Sequence, residues 1–296
     1  MQHRILCHND ADGYCSAAIA VLALQEAGNT VGFQSVTHGN DEFQYDHTEH
    51  LVIVDYTFQP ESRMEEIIKF YGDQLTWIDH HKSMLDLALN HSDVRGIRRI
   101  GDPSGPLAAC ELTWDYFYPD KPIPYAIQLI GDWDVWRHAT MEDTYRASQS
   151  RALAAYLNNS SVDPVDRMSF WRDLFVSDSA LDHYVVKGRS YLEYQEKQNT
   201  KVVSNIGWEG CFRSLPAVFL NRRGNSLMFD SIYDPTKHKL MVGYEHDGQK
   251  WTVSLYTTHD DVDCSEIAKS MGGGGHAKAA GFTVHSTYEL FGHFSK

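Results

Sequence analysis

The chain has 296 residues, 42% of them hydrophobic and 22% charged, which is an ordinary globular composition long enough for two domains or one large α/β domain. A net charge of −14 argues against a long nucleic acid held on a broad basic footprint, but not against a short nucleotide held through metal ions, since part of that charge can be metal ligands. No apolar run reaches the roughly 20 residues of a membrane span, and the N-terminus runs into charge too early for a secretory signal.

The first element is a short apolar strand over residues 4–8, followed by the polar turn Asn9-Asp10-Ala11-Asp12-Gly13 and an Ala-rich buried helix from Ser16 to Leu24 that ends near Gly28. Strand, acidic turn and helix open a βαβ unit, whose sites lie at the carboxyl ends of the strands. His8, Asp10 and Asp12 fall there as candidate metal ligands. The alternative is that Asp10 caps the helix and Asp12 holds the turn. Residues 31–36 form a second strand. In the polar loop after it, His38, His47 and His50 read as solvated.

Leu51–Phe58 is a continuous apolar run of the kind a parallel sheet buries on both faces. Asp55 lies at its carboxyl end, where a carboxylate is costly unless paired or metal-bound. A helix follows from Pro60 to Ile68. The next strand, Leu75–Ile78, ends in Asp79-His80-His81. Imidazole suits a borderline transition metal and carboxylate a hard one, so the triplet suits Mn²⁺. Three successive strand ends thus carry ligand-type side chains, and right-handed crossovers bring such ends to one edge of the sheet.

Residues 94–100 offer another strand, in which Arg98 and Arg99 suit either a phosphate or a solvated edge. The turn Gly101–Pro106, with Ser104 as a cap, leads into a helix from Leu107 to Phe117 that carries Glu111. Tyr125–Ile130 reads as one more apolar strand, leading to Gly131-Asp132-Trp133-Asp134; both aspartates are candidate ligands, with Asp132 preferred. Residues 140–180 read as polar helices with Phe170, Trp171, Leu174 and Phe175 as a core stripe. Residues 181–204 form one long helix.

The composition then turns to short β-type runs at 217–220, 240–244 and 251–256. Asp263 caps a helix start, and the aspartates just before it read as structural. Met271–Phe282 contains four consecutive glycines, His276 and Lys278. Such a loop can approach an anion and cradle it with free N–H groups. The five scattered cysteines (Cys7, Cys15, Cys110, Cys211, Cys264) have no paired spacing and read as reduced structural thiols of a cytoplasmic protein.

In this order the motifs resemble those of the DHH phosphoesterase superfamily, RecJ-like and nano-RNase-like, with its C-terminal DHH-associated domain. The resemblance covers nearly the whole chain. His8–Gly13 is similar to the family's first motif, Val54-Asp55 to the second, Asp79-His80-His81 to the third and Gly131–Asp134 to the fourth, while Gly272–Gly281 resembles the GGGHxxAAG loop. The fold implied is α/β: an N-terminal, mostly parallel sheet flanked by helices (residues 1–180), a linker helix (181–204) and a smaller α+β domain (205–296), with the active site in the interdomain cleft.

The resemblance further implies two Mn²⁺ ions, with Mg²⁺ or Co²⁺ as substitutes. Their ligands would come from His8, Asp10, Asp12, Asp55, His80, Asp132 and Asp134, with Asp55 bridging. It implies catalytic roles for Asp79 and His81, and substrate contacts from Gly273, Gly274, Gly275, His276, Lys278 and Ala279. Where many members have an arginine, Tyr256 and Thr257 stand here.

The implied activity is hydrolysis of short RNA or DNA oligonucleotides or dinucleotides to nucleoside monophosphates by a cytoplasmic, membrane-free enzyme that can pair as a homodimer. The alternatives are a RecJ-like single-strand exonuclease, a cyclic-dinucleotide or 3′-phosphonucleotide hydrolase, and an inactive nucleotide-binding scaffold. A scaffold would show broken ligand sets, whereas here every ligand position is filled.

Overall fold

The computed structural model describes residues 1–37, 40–82, 85–98, 106–286 and 294–295. The expectations for His38, Arg99, Ser104 and the turn at 101–105 lie outside the described residues. The chain divides into two compact units, Met1–Tyr191 and Leu192–Lys296. It is an α/β protein whose first unit holds a parallel sheet flanked by helices and whose second holds a separate sheet.

In the first unit, β1 (Gln2–His8), β2 (Thr30–Val36), β3 (His50–Val54) and β4 (Leu75–Ile78) form a sheet of order β2-β1-β3-β4, parallel throughout. Successive side chains of a strand point to opposite faces, and both faces are covered. Ile5, Cys7, Val52, Val54 and Ile78 pack toward α1 (Ala11–Glu26) and α4 (Ala109–Phe117). Leu6, Leu51, Ile53 and Trp77 pack with Met64, Ile67 and Tyr71 of α2 (Glu61–Tyr71). Double coverage is why the strands read as unbroken apolar runs. The alanines of α1 carry almost no bulk, so that helix lies close on the sheet, and Ala17, Ala18 and Ala20 are fully buried.

Several expectations shift in register or type. Helix α1 begins at Ala11, directly after its cap Asp10, and not at Ser16. Strand β3 ends at Val54 instead of running to Phe58, because Asp55 adopts a left-handed φ of 55° that ends extended pairing. Residues 94–98 do not form a regular strand. Their backbone pairs with the β4 region through the bridges Thr76–Arg95 and Asp79–Arg98. Arg98 is neither a solvated edge nor presented for phosphate: its guanidinium donates to the carbonyls of Trp77, His91, Val94 and Arg95 and lies over the Trp77 ring. His47 is not simply solvated, since it stacks on Phe70 with ring centroids 3.7 Å apart, and His50 tilts against His3. The short helix α3 (Leu85–Asn90) follows β4.

The segment expected as a fourth acidic strand end is a helix, α5 (Tyr125–Asp134). Its apolar residues Ala126, Ile127, Leu129 and Ile130 are buried at helical spacing. Then come α6 (Thr144–Asn158), α7 (Met168–Val176), which buries the expected stripe Phe170, Trp171, Leu174 and Phe175, and the long α8 (Asp178–Ile206). Among the described residues no helix is long and apolar enough to cross a membrane.

The second unit is a sheet of order β11-β5-β6-β7-β8-β10-β9. Its strands are β5 (Gly207–Phe212), β6 (Leu215–Leu220), β7 (Leu240–His246), β8 (Trp251–Tyr256), β9 (Gly274–Gly275), β10 (Ala279–Val284) and β11 (Phe294–Ser295). All pairs are antiparallel except β6–β7. Helix α9 (Cys264–Lys269) packs on it, capped as expected by Asp263, which accepts from the Ser265 and Glu266 amides. The cysteines are free thiols, and all but Cys211 are buried.

Candidate metal centre

The first ligand group arises where β1 gives way to α1. The backbone at Asp10 is extended, and its Oδ1 accepts the Gly13 amide at 2.9 Å, so Asp10 is the helix cap. Its second oxygen, Oδ2, meets His8 Nδ1 at 2.6 Å. The capping alternative raised from the sequence therefore accounts for one oxygen only. Residue 13 must be glycine, because a Cβ there would lie 2.2 Å from the His8 carbonyl oxygen. Asp12 sits in the first turn of α1, buried, and its two oxygens accept the amides of Ala109 and Cys110 at 2.8 Å each. Those are the first residues of α4, a favourable place for an anion.

Asp55 follows β3 directly. Its amide donates to Ile78 O at 2.9 Å, and its buried carboxylate is turned inward by the left-handed backbone. His80 and His81 follow β4. His80 Nε2 is a focus of acidic oxygens: 3.2 Å from Asp55 Oδ1, 3.3 Å from Asp134 Oδ2 and 3.5 Å from Asp12 Oδ2. His81 Nδ1 is 2.7 Å from Asp79 Oδ1 and 3.9 Å from Asp55 Oδ1.

Within the first unit, three triads each bring one ligand atom per residue within 4.8 Å of one another: His8–Asp10–Asp55, Asp12–Asp55–His80 and Asp55–Asp79–His81. Asp55 belongs to all three. The parallel sheet therefore gathers at one edge the side chains that the sequence places at three separate strand ends.

The electrostatics are those of a site built for a cation. Burial first, then the charge of Asp134, pushes Asp12 up to about 7. Burial first, then the charge of Asp10, pushes Asp134 up to about 7. Burial and the charges of Asp12, Asp10 and Asp134 raise Asp55 well above the ordinary carboxylate range. Clustered like charges in a dry site retain protons unless a cation neutralises them. Asp134 Oδ2 is buried without a hydrogen-bond partner among the described residues, and a buried acceptor of that kind calls for a ligand. Carboxylate oxygens mixed with imidazole nitrogens fit a divalent ion such as Mn²⁺.

Two other residues of the DHH triplet region have different surroundings. Asp79 is buried, and it accepts from the His80 amide, the His81 amide, His81 Nδ1 and the Thr57 hydroxyl. Burial opposes its ionisation, but the His81 charge and these hydrogen bonds hold it below the usual carboxylate range. For His81 burial alone lowers basicity, yet the Asp79 charge and hydrogen bond outweigh it and raise the imidazole to about 9. Asp79 thus orients His81 while also lying in the Asp55–Asp79–His81 triad.

Asp132, preferred on sequence as the fourth-motif ligand, does not join the cluster. Its Oδ1 accepts from Arg137 Nε at 2.7 Å and its Oδ2 from Arg146 Nε at 2.6 Å, so both oxygens are committed to guanidinium groups. Asp134, two residues later at the end of α5, is the aspartate beside His80. Sequence reading passed over Arg137, Arg146 and Thr57. The available signal was that an inward-facing Asp132 requires a cationic partner.

In the second unit the glycine loop differs from the expected cradle. The amides of Gly272, Gly273 and His276 donate to Lys269 O, Ala268 O and Ala279 O, so they are spent on the fold. Gly274 and Gly275 pair as β9 with β10. A Cβ on Gly273 would lie 2.0 Å from Gly281 O, so close backbone packing already demands that glycine. Lys278 Nζ is bound to Asp260 at 2.6 Å. Where an arginine was expected, Tyr256 donates its hydroxyl to Gly224 O, and the buried Thr257 donates to Lys239 O.

No family model matches the chain. It is 26% identical to the oligoribonuclease NrnB of Bacillus subtilis, over 98% of this chain and 75% of that protein. It is 27% identical to the uncharacterized protein R106 of Acanthamoeba polyphaga mimivirus over 69% of this chain, an alignment that takes in 46%, about half, of that relative's length. Among solved structures it is similar to the DHH domain of a member of a family of ribosomal proteins. That match has a TM-score of 0.63 and 12% identity over 99% of this chain and 85% of the other, a likeness of fold.

Proposed function

We propose that the chain is a member of the DHH superfamily and a Mn²⁺-dependent phosphodiesterase that hydrolyses short oligonucleotides to nucleoside monophosphates. The observation that carries this reading is the sharing of Asp55 among three ligand triads at converging strand ends. His8, Asp10 and Asp55 would hold one ion, and Asp12, Asp55, His80 and Asp134 the other. Ions held there supply an acidified water and neutralise phosphate charge, the usual contribution of paired metals.

The protein's own residues do the rest. Asp79 fixes Nδ1 of His81, we assign the imidazole to the substrate phosphate, and Thr57 in turn steadies Asp79. The α4 amides hold Asp12 in one orientation, so its geometry is set before substrate arrives. In the second unit we assign the substrate's far end to Gly274, Gly275, His276 and Ala279. The net charge of −14 favours short substrates over long strands, whose binding relies on a basic track. The reading places the enzyme in the cytoplasm, where its thiols stay reduced. Similarity to an oligoribonuclease supports RNA as the substrate.

The test is incubation of metal-stripped, Mn²⁺-reloaded protein with labelled RNA of two to five nucleotides, with long single-stranded DNA and cyclic dinucleotides as parallel arms. Release of mononucleotides from the short RNA is expected. Intact dinucleotides after long incubation refute the reading, and preferential degradation of the long strand moves the assignment to an exonuclease.

A further inference from the structure

We propose that Arg137 is a positioning residue for the metal centre: it locks the helix start that holds Asp12 to the helix end that presents Asp134. This rests on the metal-dependent reading above. Asp12 accepts the first two amides of α4. Glu111, one residue further along that helix, accepts the Ala108 amide at 2.9 Å through Oε2 and so fixes the helix start. Its other oxygen, Oε1, accepts from Arg137 Nη2 at 2.8 Å.

The same guanidinium donates through Nε to Asp132 Oδ1 at 2.7 Å and through Nη1 to Pro106 O at 2.8 Å. Asp132 stands two residues before Asp134 on α5. One planar fork therefore joins α4 to α5 while touching neither candidate ligand, a geometry that guanidinium provides and an ammonium does not.

Two details show that the chain accommodates this bridge. A Cβ on Gly131 would lie 2.7 Å from Glu111 Oε2 and 3.0 Å from Arg137 Nη2, so the bridge fits because residue 131 has no side chain. Trp136 adopts a left-handed φ of 63°, a conformation bulky residues avoid. That reversal after α5 returns Arg137 to Asp132, five residues earlier. Strain of this kind persists where surrounding contacts over-determine it. Arg146 supplies the contrast. Among the described residues it pairs with Asp132 Oδ2 and does not reach Glu111.

The experiment is calorimetric Mn²⁺ titration of metal-stripped wild type, Arg137→Gln, Arg137→Lys and Arg146→Gln, well below each melting temperature. Groups that orient metal ligands typically change affinity about 10–100-fold when removed, and Arg137→Gln is expected in that range. Arg137→Lys should fall between it and wild type, and Arg146→Gln should weaken binding less than either. A merely structural role would lower the melting temperature and leave affinity unchanged. Wild-type affinity in folded Arg137→Gln overturns the proposal. Should that variant not fold, wild-type affinity in Arg137→Lys does so, as does an Arg146→Gln loss equal to that of Arg137→Gln or, in its absence, of Arg137→Lys. A wild-type chain that binds no Mn²⁺ overturns the metal-dependent function itself.

Discussion

Asp134→Asn should make the metal-free protein more stable while removing its response to metal. In the fold Asp134 stands at about 7, against an ordinary 3.8, because it is buried and faces other carboxylates. A group whose value is raised on folding stabilises the fold at low pH. That contribution is complete below about pH 4 and disappears as pH rises to about 7. At about 1.4 kcal/mol per pH unit the loss at pH 8 is about 4 kcal/mol. The asparagine escapes it, but its amide is poorly served in the same place, which costs about 1–3 kcal/mol. A net gain of about 2 kcal/mol raises the melting temperature by roughly 4–8 °C. The assay is thermal unfolding of chelator-treated protein between pH 5 and 8, with and without Mn²⁺. Wild type should lose stability as pH rises and recover it with Mn²⁺. The variant should show a flatter pH profile and little response to metal. Metal-free Asp134→Asn melting well below wild type at pH 8, or still gaining full stability from Mn²⁺, would refute the reasoning.

Asp132→Asn should do the opposite. It strips a buried carboxylate from two arginines, and breaking a buried pair costs about 3–5 kcal/mol. Their 27% and 30% exposure reduces that to about 2–3 kcal/mol, read as a lower melting temperature at every pH tested. Asp55→Asn keeps a residue type that tolerates a left-handed backbone, so a native circular dichroism spectrum with no measurable Mn²⁺ binding is expected. A retained metal response would remove Asp55 from the centre of the site. Thr57→Val and Asp79→Asn should leave His81 poorly oriented, lowering kcat by on the order of 100-fold and Mn²⁺ affinity much less. Steady-state kinetics paired with titration separate the two effects. Gly13→Ala forces a methyl onto the His8 carbonyl and should cost about 3 kcal/mol, measured by denaturant unfolding.

The parallel sheet was legible in the sequence because burial on both faces writes itself as continuous apolar runs, and Leu51–Val54 and Leu75–Ile78 are such runs. Its consequence, that Asp12, Asp55 and His80 converge, followed from connectivity alone. What could not be read were features set by partners distant in sequence. The amides that orient Asp12 lie 97 and 98 residues away, and no local pattern announces them. Three of the four carbonyls that hold Arg98, those of His91, Val94 and Arg95, come from a segment outside any strand. In the glycine loop, composition suggested exposed N–H groups, but whether an amide faces an anion or a neighbouring carbonyl is decided by how the hairpin closes on β10.

The choice between Asp132 and Asp134 shows how an error in secondary structure becomes an error in chemistry. On a strand, residues i and i+2 share a face, so both aspartates would point into one site and either could serve. On a helix they diverge by about 200°. Once Tyr125–Asp134 is helical, the two carboxylates must face different surroundings. Asp132 turns to Arg137 and Arg146, while Asp134 turns to His80. Burial itself does not distinguish them, since both lie largely out of water. The partner does: Asp132 gives both oxygens to guanidiniums, whereas Asp134 faces other carboxylates and is pushed up to about 7. Two aspartates separated by one tryptophan therefore respond to substitution with opposite signs, and that opposition follows from helix geometry before any catalytic role is assumed.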